Sequence, residues 1–193
     1  MLFRSAQKLF GQERETVEEG EAGDVIGIIG HDILQIGDTL AEDRTIKFNE
    51  IPQFTPEVFA YLTNPQPGNS KKYRLGVDQL LKEGVVQQME IGTGQVKTPI
   101  LAAVGPLQFE VVQYRLKSEY GAESRLEKAR WQIVRWWRKN GAAEDYMPEL
   151  LSYSTHGVDA SGRKVIFFSD EWSLRNFQKR LPDVEISPLP FEG

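Results

Sequence analysis

Residues 102–121, which read AAVGPLQFEVVQYRLKSEYG, decide the fold of this chain. The apolar run 100–104 is typical of a buried strand, and Gly105 ends it. Pro106 begins a helix, because its fixed φ suits the first helical turn and its missing N–H would lack a partner there. Gly121 is placed to end that helix, since glycine adopts the left-handed conformation of a C-cap without strain. The stretch therefore predicts a strand, a sharp turn and a helix.

The predicted helix has two distinct faces. The face that should pack against a sheet is apolar and holds Phe109, Val112 and Leu116. The face expected to meet solvent is polar and holds Glu110, Gln113 and Lys117. Arg115 precedes Glu119 by one turn, so the two can form a weak ion pair. On these residues alone, the stretch is an ordinary strand-turn-helix unit.

The composition is that of a soluble globular protein. The chain has 193 residues, of which 40% are hydrophobic and 26% charged, and this length allows one large domain or two small ones. No apolar run approaches the ~20 residues that span a membrane, and the N-terminal residues lack the layout of a signal peptide. The chain has no cysteine, which excludes disulfides and thiolate metal sites and is compatible with a cytoplasmic location.

Charge is distributed unevenly along the chain. Residues 70–140 carry 13 Lys or Arg and seven acids, a net of +6, whereas residues 1–50 have a net of −6 and residues 141–193 a net of −4. A basic middle between acidic ends is compatible with a polyanionic partner. The basic residues do not form one run, so chance variation of charge along the chain is the slightly favoured explanation.

Residues 1–48 are expected to form part of a small β-barrel. The β-branched run 25–29 predicts a buried strand and 33–36 predicts a second one, while the acidic stretch 13–21 suits an exposed loop. Too few strands are present to close a barrel. Either further chain precedes residue 1 in the natural protein, or the barrel is completed in another way, such as by the edge of a neighbouring chain.

A second domain is expected from residue 49, because Pro52 and Pro56 bracket a change of pattern. Within residues 54–127 the order strand, helix, strand, strand, helix, strand predicts a ferredoxin-like, or split βαβ, core. The predicted strands are 54–62, 85–90, 97–104 and 122–126, and the first helix lies between Ser70 and Gly84. The predicted fold class is therefore α+β, a partial β-barrel followed by a ferredoxin-like domain.

A C-terminal α/β extension is predicted after this core. Its strands are predicted at 130–138, 165–168 and 184–186, and its helices at 147–154 and 171–180, the second of them capped by Asp170. Residues 159–162 predict a hairpin turn. The extension is expected to continue or double the first sheet.

Motifs for nucleotide binding and catalysis are missing from the sequence. A phosphate-binding P-loop needs Gly, four residues and then Gly-Lys-Ser/Thr, and no stretch fits. His31 and His156 are isolated and are interpreted as surface or turn residues rather than as ligands or bases. The acidic pairs at 18–19 and 170–171 suit an exposed loop and a helix cap. We therefore predict no catalytic, cofactor-binding or metal-binding residue, and no enzyme activity, in this chain.

Eight basic residues are candidates for contact with the phosphate groups of RNA. Exposed Lys and Arg side chains together provide a salt-sensitive attachment that is independent of base sequence. The candidates are Lys71, Lys72, Arg74, Arg115, Lys117, Arg125, Lys128 and Arg130. Each of them alone is more readily explained as a solvated surface charge.

The tryptophans allow two interpretations. They are Trp131, Trp136, Trp137 and Trp172, and the first three lie beside arginines, as on an RNA-stacking surface. The favoured interpretation is packing of a sheet against its helices, which is the usual role of large aromatic side chains. Trp137 is the residue to which packing applies least clearly.

The stretch quoted first also carries a resemblance to a protein family. Residues 104–112, VGPLQFEVV, followed by residues 115–120, RLKSEY, resemble the third domain of the release factor 3 family of bacterial translation GTPases, which are relatives of elongation factor G. Weaker similarities lie in the right order around it, at 22–27, 36–39, 47–57, 81–87, 129–131 and 182–184. The resemblance covers nearly the whole chain, and residues 136–169 depart from the family pattern.

The resemblance implies a domain division and a role. Residues 1–48 correspond to the later part of the family's second, barrel domain, and residues 49–193 to its third domain. In this family a GTPase domain, absent from this fragment, binds GTP and drives the recycling of class I release factors after the peptide is freed. The second and third domains contact the ribosome, chiefly the small subunit. The resemblance therefore implies a ribosome-facing module that has no cofactor of its own and works beside its own GTPase domain in the full-length protein.

Two rival hypotheses remain open. A stand-alone RNA-binding protein with a ferredoxin-like sheet would bind isolated RNA as tightly as it binds ribosomes. A small enzyme on the same fold, such as an acyl-phosphate hydrolase, would need a converging arginine and backbone-amide site, and the sequence does not identify one.

Overall fold

The structure, a computed structural model, describes residues 6–10, 13–17, 19–28, 34, 36–46, 48, 54–94, 96–143 and 145–191. The chain divides into two compact units, residues 1–49 and residues 50–193. Helices and strands are both present, and the strands pair antiparallel. This combination confirms the predicted α+β class.

The first unit contains a small sheet. Its strands are β1 (Ala6–Phe10), β2 (Glu13–Val17) and β3 (Ile26–Ile28), with β1 in the centre and antiparallel to both neighbours. The exposed loop predicted at 13–21 is therefore wrong for residues 13–17, because main-chain pairing with β1 extends them.

The strand predicted at 25–29 is present as β3 but is not buried. Val25, just before it, is 70% exposed and Ile26 is 38% exposed. Half of the strand predicted at 33–36 lies outside the described residues, and Leu34 and Ile36, which are described, belong to no strand.

The second unit contains eight strands and three α-helices among the described residues. In chain order they are β4 (Val58–Thr63), α1 (Ser70–Lys82), β5 (Gln87–Ile91), β6 (Thr98–Ala103), α2 (Pro106–Tyr120), β7 (Arg125–Lys128), β8 (Ile133–Arg138), β9 (Ser154–Asp159), β10 (Lys164–Phe168), α3 (Glu171–Arg180) and β11 (Glu185–Ser187). The strands form one antiparallel sheet in the order β11–β8–β10–β9–β5–β6–β4–β7.

Strands β4 to β7 have the ferredoxin-like arrangement. β6 lies between β4 and β5, so α1 connects two strands that are not neighbours, which is the split βαβ unit. The extension continues this sheet, which is one of the two predicted alternatives, because β9 pairs with β5 over three residues on each side. In that register Asp159 is opposite Met89 and Gly157 is opposite Ile91.

The eight-stranded sheet curls on itself. The rings of Phe59 on β4 and Phe167 on β10 meet edge to face at 5.4 Å, although three strands separate β4 from β10 in the sheet order. In a flat sheet, strands that far apart would lie about 19 Å from each other. The chain after β7 crosses the gap, where the N–H of Ala129 donates to the carbonyl of Phe59 and the N–H of Gln132 to that of Phe168.

The curl creates an enclosed core and two outer layers. The core inside the curl is apolar and contains Phe59, Met89, Ile100, Ala102, Ala129, Trp131, Val134, Trp136, Val165 and Phe167. Helices α1 and α2 cover the outer face of the ferredoxin-like half, and the inward stripe predicted for α2, Phe109, Val112 and Leu116, is buried there. Helix α3 covers the outer face of the other half with Leu174 and Phe177.

Local capping sets the helix ends. The side chain of Gln108, in the first turn of α2, donates to the carbonyl of Val85 and so ties this helix to the segment that leads into β5. Gly121 ends α2 with a φ of 60°, the predicted left-handed cap. At the start of α3 the carboxylate of Asp170 accepts the N–H of Ser173 at 2.7 Å, also as predicted.

Some predicted elements differ from the structure. The helix predicted at 147–154 is wrong, because this segment is irregular and β9 begins at Ser154. Leu150 packs into the core beneath α3, so tertiary contacts override the local helical pattern. The strand predicted from residue 54 begins only at Val58, after Pro56, which has no N–H to donate to a neighbouring strand.

Candidate nucleic-acid interface

Helix α1 presents a basic surface at its N-terminal end. Lys71, Lys72 and Arg74 lie in its first half, are exposed, and have no ion-pair partner within the described part of the chain. The first turn contains no acidic residue and no side chain caps it. Cations at the positive end of a helix dipole are disfavoured by about 0.3–1 kcal/mol, so these lysines do not serve helix stability. Their position suits an anionic partner instead.

Strand β7 adds to this surface at one end of the sheet. Arg125 is opposite Thr63, the last residue of β4, and α1 begins at Ser70, shortly after Thr63. The N-terminal half of α1 and the start of β7 therefore lie at the same end of the sheet. We call Lys71, Lys72, Arg74 and Arg125 the α1 basic surface. Lys128 is exposed on the same edge strand, opposite Ala60.

Arg115 forms the ion pair with Glu119 that its spacing predicts, and a second one that the sequence did not predict. Its guanidinium bonds Glu83, the residue that caps the end of α1, and also Glu119 one turn along α2. Hydrogen bonding to Arg115 lowers the pKa of Glu83 and of Glu119 below the ordinary value. The positive charge is thus shared between two carboxylates, and Arg115 holds the two helices together. Lys117 likewise pairs with Glu123 at 3.0 Å.

The tryptophans divide between core and surface. Trp131, Trp136 and Trp137 are buried, so the packing interpretation holds for them, including Trp137. Arg130 lies over the ring of Trp131, with its guanidinium carbon 4.3 Å from the ring centroid. Trp172 is the exception, because it is 58% exposed and meets the ring of Tyr153 edge to face.

The interpretation of His156 as a surface or turn residue is wrong. It lies in β9 and is half-buried, with Nε2 3.0 Å from the carbonyl of Pro148. Because a carbonyl only accepts, Nε2 carries the hydrogen, and Nδ1 is buried without a partner among the described residues. His31 lies outside the described residues. Among the described residues, no cluster of three or more His, Cys, Asp or Glu side chains is arranged to hold a metal ion. None of the described helices has the length and apolar character of a membrane span.

The environment of His156 predicts an acid-sensitive fold. Burial lowers the pKa of His156 below its ordinary value of 6.5, and the charge of Lys164 acts in the same direction. Above pH ~6.5 the side chain is neutral in both folded and unfolded chains and contributes no pH dependence. As the pH falls below ~6.5 the unfolded chain takes up the proton first, so stability decreases until the folded pKa is reached.

Chemical denaturation at a series of pH values tests this expectation. The wild-type chain should lose stability as the pH falls from 7 to 5, and His156→Gln should reduce the slope in that interval. An equal slope in the two proteins would show that other groups cause the pH dependence.

The extension contains a cleft that the sequence did not predict. A cavity of about 390 Å³ lies between the end of β8, the turn after it and the start of β10, and its walls combine aromatic rings with Arg and Lys side chains. The only signal in the sequence is the run Trp136, Trp137, Arg138 and Lys139. The other walls, including Arg163 and Phe191, come from segments that are distant in sequence.

The chain is similar to proteins of one known family. Residues 48–178 match the model of the class II release factor RF3 C-terminal domain. The chain belongs to this family. Peptide chain release factor 3 of Acaryochloris marina is 42% identical over 183 residues, which are 95% of this chain and 34% of the relative. That of Synechococcus elongatus is 42% identical over 180 residues, 93% of this chain and 32% of the relative.

The release factor 3 resemblance predicted from residues 104–120 is therefore confirmed. The chain spans about a third of the length of these relatives. A Thermus thermophilus protein of known crystal structure is 20% identical, with a TM-score of 0.49 over 80% of this chain and 24% of that protein. All eight basic candidates lie inside the part that matches the release factor 3 C-terminal domain.

Proposed function

We propose that this chain is a ribosome-interacting C-terminal part of a peptide chain release factor 3 and acts in translation termination. The observation that carries the proposal is the family match over residues 48–178, supported by relatives that are 42% identical and bear that name. In the whole protein, a separate GTPase domain would use GTP to recycle class I release factors from the ribosome, and this part would bind the ribosome in the cytoplasm without catalysing a reaction itself.

The α1 basic surface is the part of the molecule best suited to contact ribosomal RNA. Its side chains are exposed and lack ion-pair partners among the described residues. Attachment to phosphate groups depends on such cations, because binding releases the counterions that screen the RNA. Arg115 and Lys117 are less suitable, since nearby carboxylates already neutralise them.

Co-sedimentation with intact bacterial ribosomes across a salt series tests this proposal. The 193-residue chain should bind at low salt and dissociate as salt is raised. The double substitution Lys71→Glu and Lys72→Glu should weaken binding about tenfold, and should reduce the slope of log affinity against log salt by about 2, since each phosphate contact contributes about 1.

A matched charge reversal on another helix provides the control. Arg175→Glu with Lys179→Glu makes the same change of charge on exposed positions of α3, and should leave ribosome binding within about twofold of the wild type. If the chain fails to bind at low salt, the ribosome-interacting role is wrong for this part of the protein. If both double variants weaken binding equally, only the net charge matters and the α1 basic surface is not the contact.

A further inference from the structure

The cleft in the extension combines aromatic walls with cations that lie on them. The guanidinium carbon of Arg138 lies 4.4 Å from the ring centroid of Phe191, and Nζ of Lys139 lies 4.7 Å from that of Tyr146. Nζ of Lys164 is 5.3 Å from the ring centroid of Trp137. Such contacts hold each cation by attraction to the negative face of a ring. Three cation-on-ring pairs therefore converge on one cavity of about 390 Å³.

Carboxylates hold the two arginines of the cleft in place without using all of their donors. Nε of Arg138 donates to Glu185 at 2.8 Å, and Nε of Arg163 donates to the buried carboxylate of Asp159 at 2.6 Å. A guanidinium has five N–H groups, and the terminal ones of these two arginines donate to no group among the described residues. Each of these side chains is positioned by one hydrogen bond from Nε, and its terminal N–H groups remain available to a ligand.

A buried donor in the wall is also without a partner. Nε1 of Trp137 is inaccessible to solvent and has no hydrogen-bond partner among the described residues. An unpaired buried donor is energetically costly, so such groups are uncommon and call for a structural or functional reason. Trp137 is 6% exposed and lines the cleft, so this unpaired donor belongs to the cleft wall.

We propose that this cleft binds a nucleoside phosphate. Arg138 and Arg163 supply their terminal N–H groups to the phosphate, because a guanidinium matches phosphate oxygens in charge and geometry. Lys139, which is ion-paired with Asp183, adds a third cation beside them. The rings of Tyr146 and Phe191 supply the apolar surface against which a base packs. The volume lies at the lower end of the range for small-molecule sites, about 300–1,000 Å³, which suits one nucleotide.

A nucleoside phosphate can reach this cleft from two sources, as a nucleotide within an RNA strand or as a free mononucleotide. Binding here is separate from the proposed ribosome contact, because the cleft and the α1 basic surface share no residue. The two can be tested independently on the same purified chain.

Titration calorimetry and tryptophan fluorescence of the 193-residue chain test the site. The probes are AMP, adenosine and a 5′-phosphorylated tetra-adenylate. AMP or the tetranucleotide should bind with a saturable change in fluorescence, since two tryptophans line the cleft, and adenosine should bind at least about tenfold more weakly because it lacks the charged acceptor. The double variant Arg138→Gln/Lys139→Gln, the cleft pair, should weaken binding of the phosphate-bearing probes about tenfold or more.

Two controls separate site binding from loss of structure and from general charge effects. Lys139→Arg keeps the charge and should retain binding within about threefold, provided that its thermal unfolding matches the wild type. The double variant Lys71→Gln/Lys72→Gln removes the same charge from α1 and should leave binding unchanged.

Tenfold tighter binding of the tetranucleotide than of AMP would identify an RNA strand as the source, and equal binding would identify a free nucleotide. The proposal is overturned if neither probe binds at millimolar concentration, or if the α1 pair weakens binding as much as the cleft pair.

Discussion

Gly157→Val is expected to lower the free energy of unfolding of the second unit by about 3 kcal/mol, the upper end of the range for overpacked cores. A Cβ atom at this position would lie 2.4 Å from the carbonyl oxygen of Glu90 and 2.6 Å from the ring of Phe167. The first neighbour is backbone of β5 and the second is a fully buried core residue, so neither can move away cheaply. The β5–β9 pairing, which joins the two halves of the sheet, should therefore weaken.

Urea denaturation followed by tryptophan fluorescence measures this loss. All four tryptophans lie between residues 131 and 172, so the signal reports on the second unit alone. Gly68→Ala is the matched control, since a Cβ there meets nothing within 4 Å, and it should change stability by less than about 0.5 kcal/mol. A Gly157→Val protein that is as stable as the wild type would mean that β5 and β9 do not approach as closely as described.

Asp159→Ala is expected to cost about 3 kcal/mol, because it removes the acceptor of a buried network. Asp159 is 7% exposed. It accepts from Nε1 of Trp136 at 2.8 Å, from Nε of Arg163, and from the N–H groups of Ser161 and Arg163. Arg163 can turn towards water after the substitution, but the indole N–H of Trp136 stays buried and unpaired.

Thermal or chemical unfolding of Asp159→Ala, compared with two further variants, isolates this network. Asp159→Asn keeps the shape and one acceptor oxygen, so its loss of stability should be smaller than that of the alanine variant. Asp78→Ala removes an exposed carboxylate from α1 and should change stability by less than about 0.5 kcal/mol. Equal effects at residues 159 and 78 would show that the buried hydrogen bonds contribute nothing.

The candidate contact residues were only partly predictable from the sequence. Composition identified the basic middle of the chain, and the structure leaves Lys71 and Lys72 without carboxylate partners among the described residues. It also shows that Arg115 bridges two carboxylates, and one of them, Glu83, is distant in sequence. Local pairing such as Arg115 with Glu119 follows from helical spacing, whereas pairing across helices depends on how they pack.

The cleft was not predictable, because its walls come from parts of the chain that only the folded sheet brings together. Arg138 and Lys139 follow two tryptophans in sequence. Arg163 lies beside them because β10 pairs with β8, and Phe191 lies there because the last segment of the chain folds back over the cleft. No spacing rule relates these residues.

The sequence by itself determined the elements whose cause is local. Pro106 and Gly121 set the ends of α2, Asp170 begins α3, and the order of strands and helices between residues 54 and 127 specifies the ferredoxin-like core. Only the tertiary structure decided that the extension joins this sheet through β5 and β9, that residues 147–153 are not helical, and that the sheet closes around Phe59 and Phe167. The physical reason is that caps and turns depend on a few neighbouring residues, whereas strand pairing and sheet curvature depend on contacts between distant segments that no local pattern encodes.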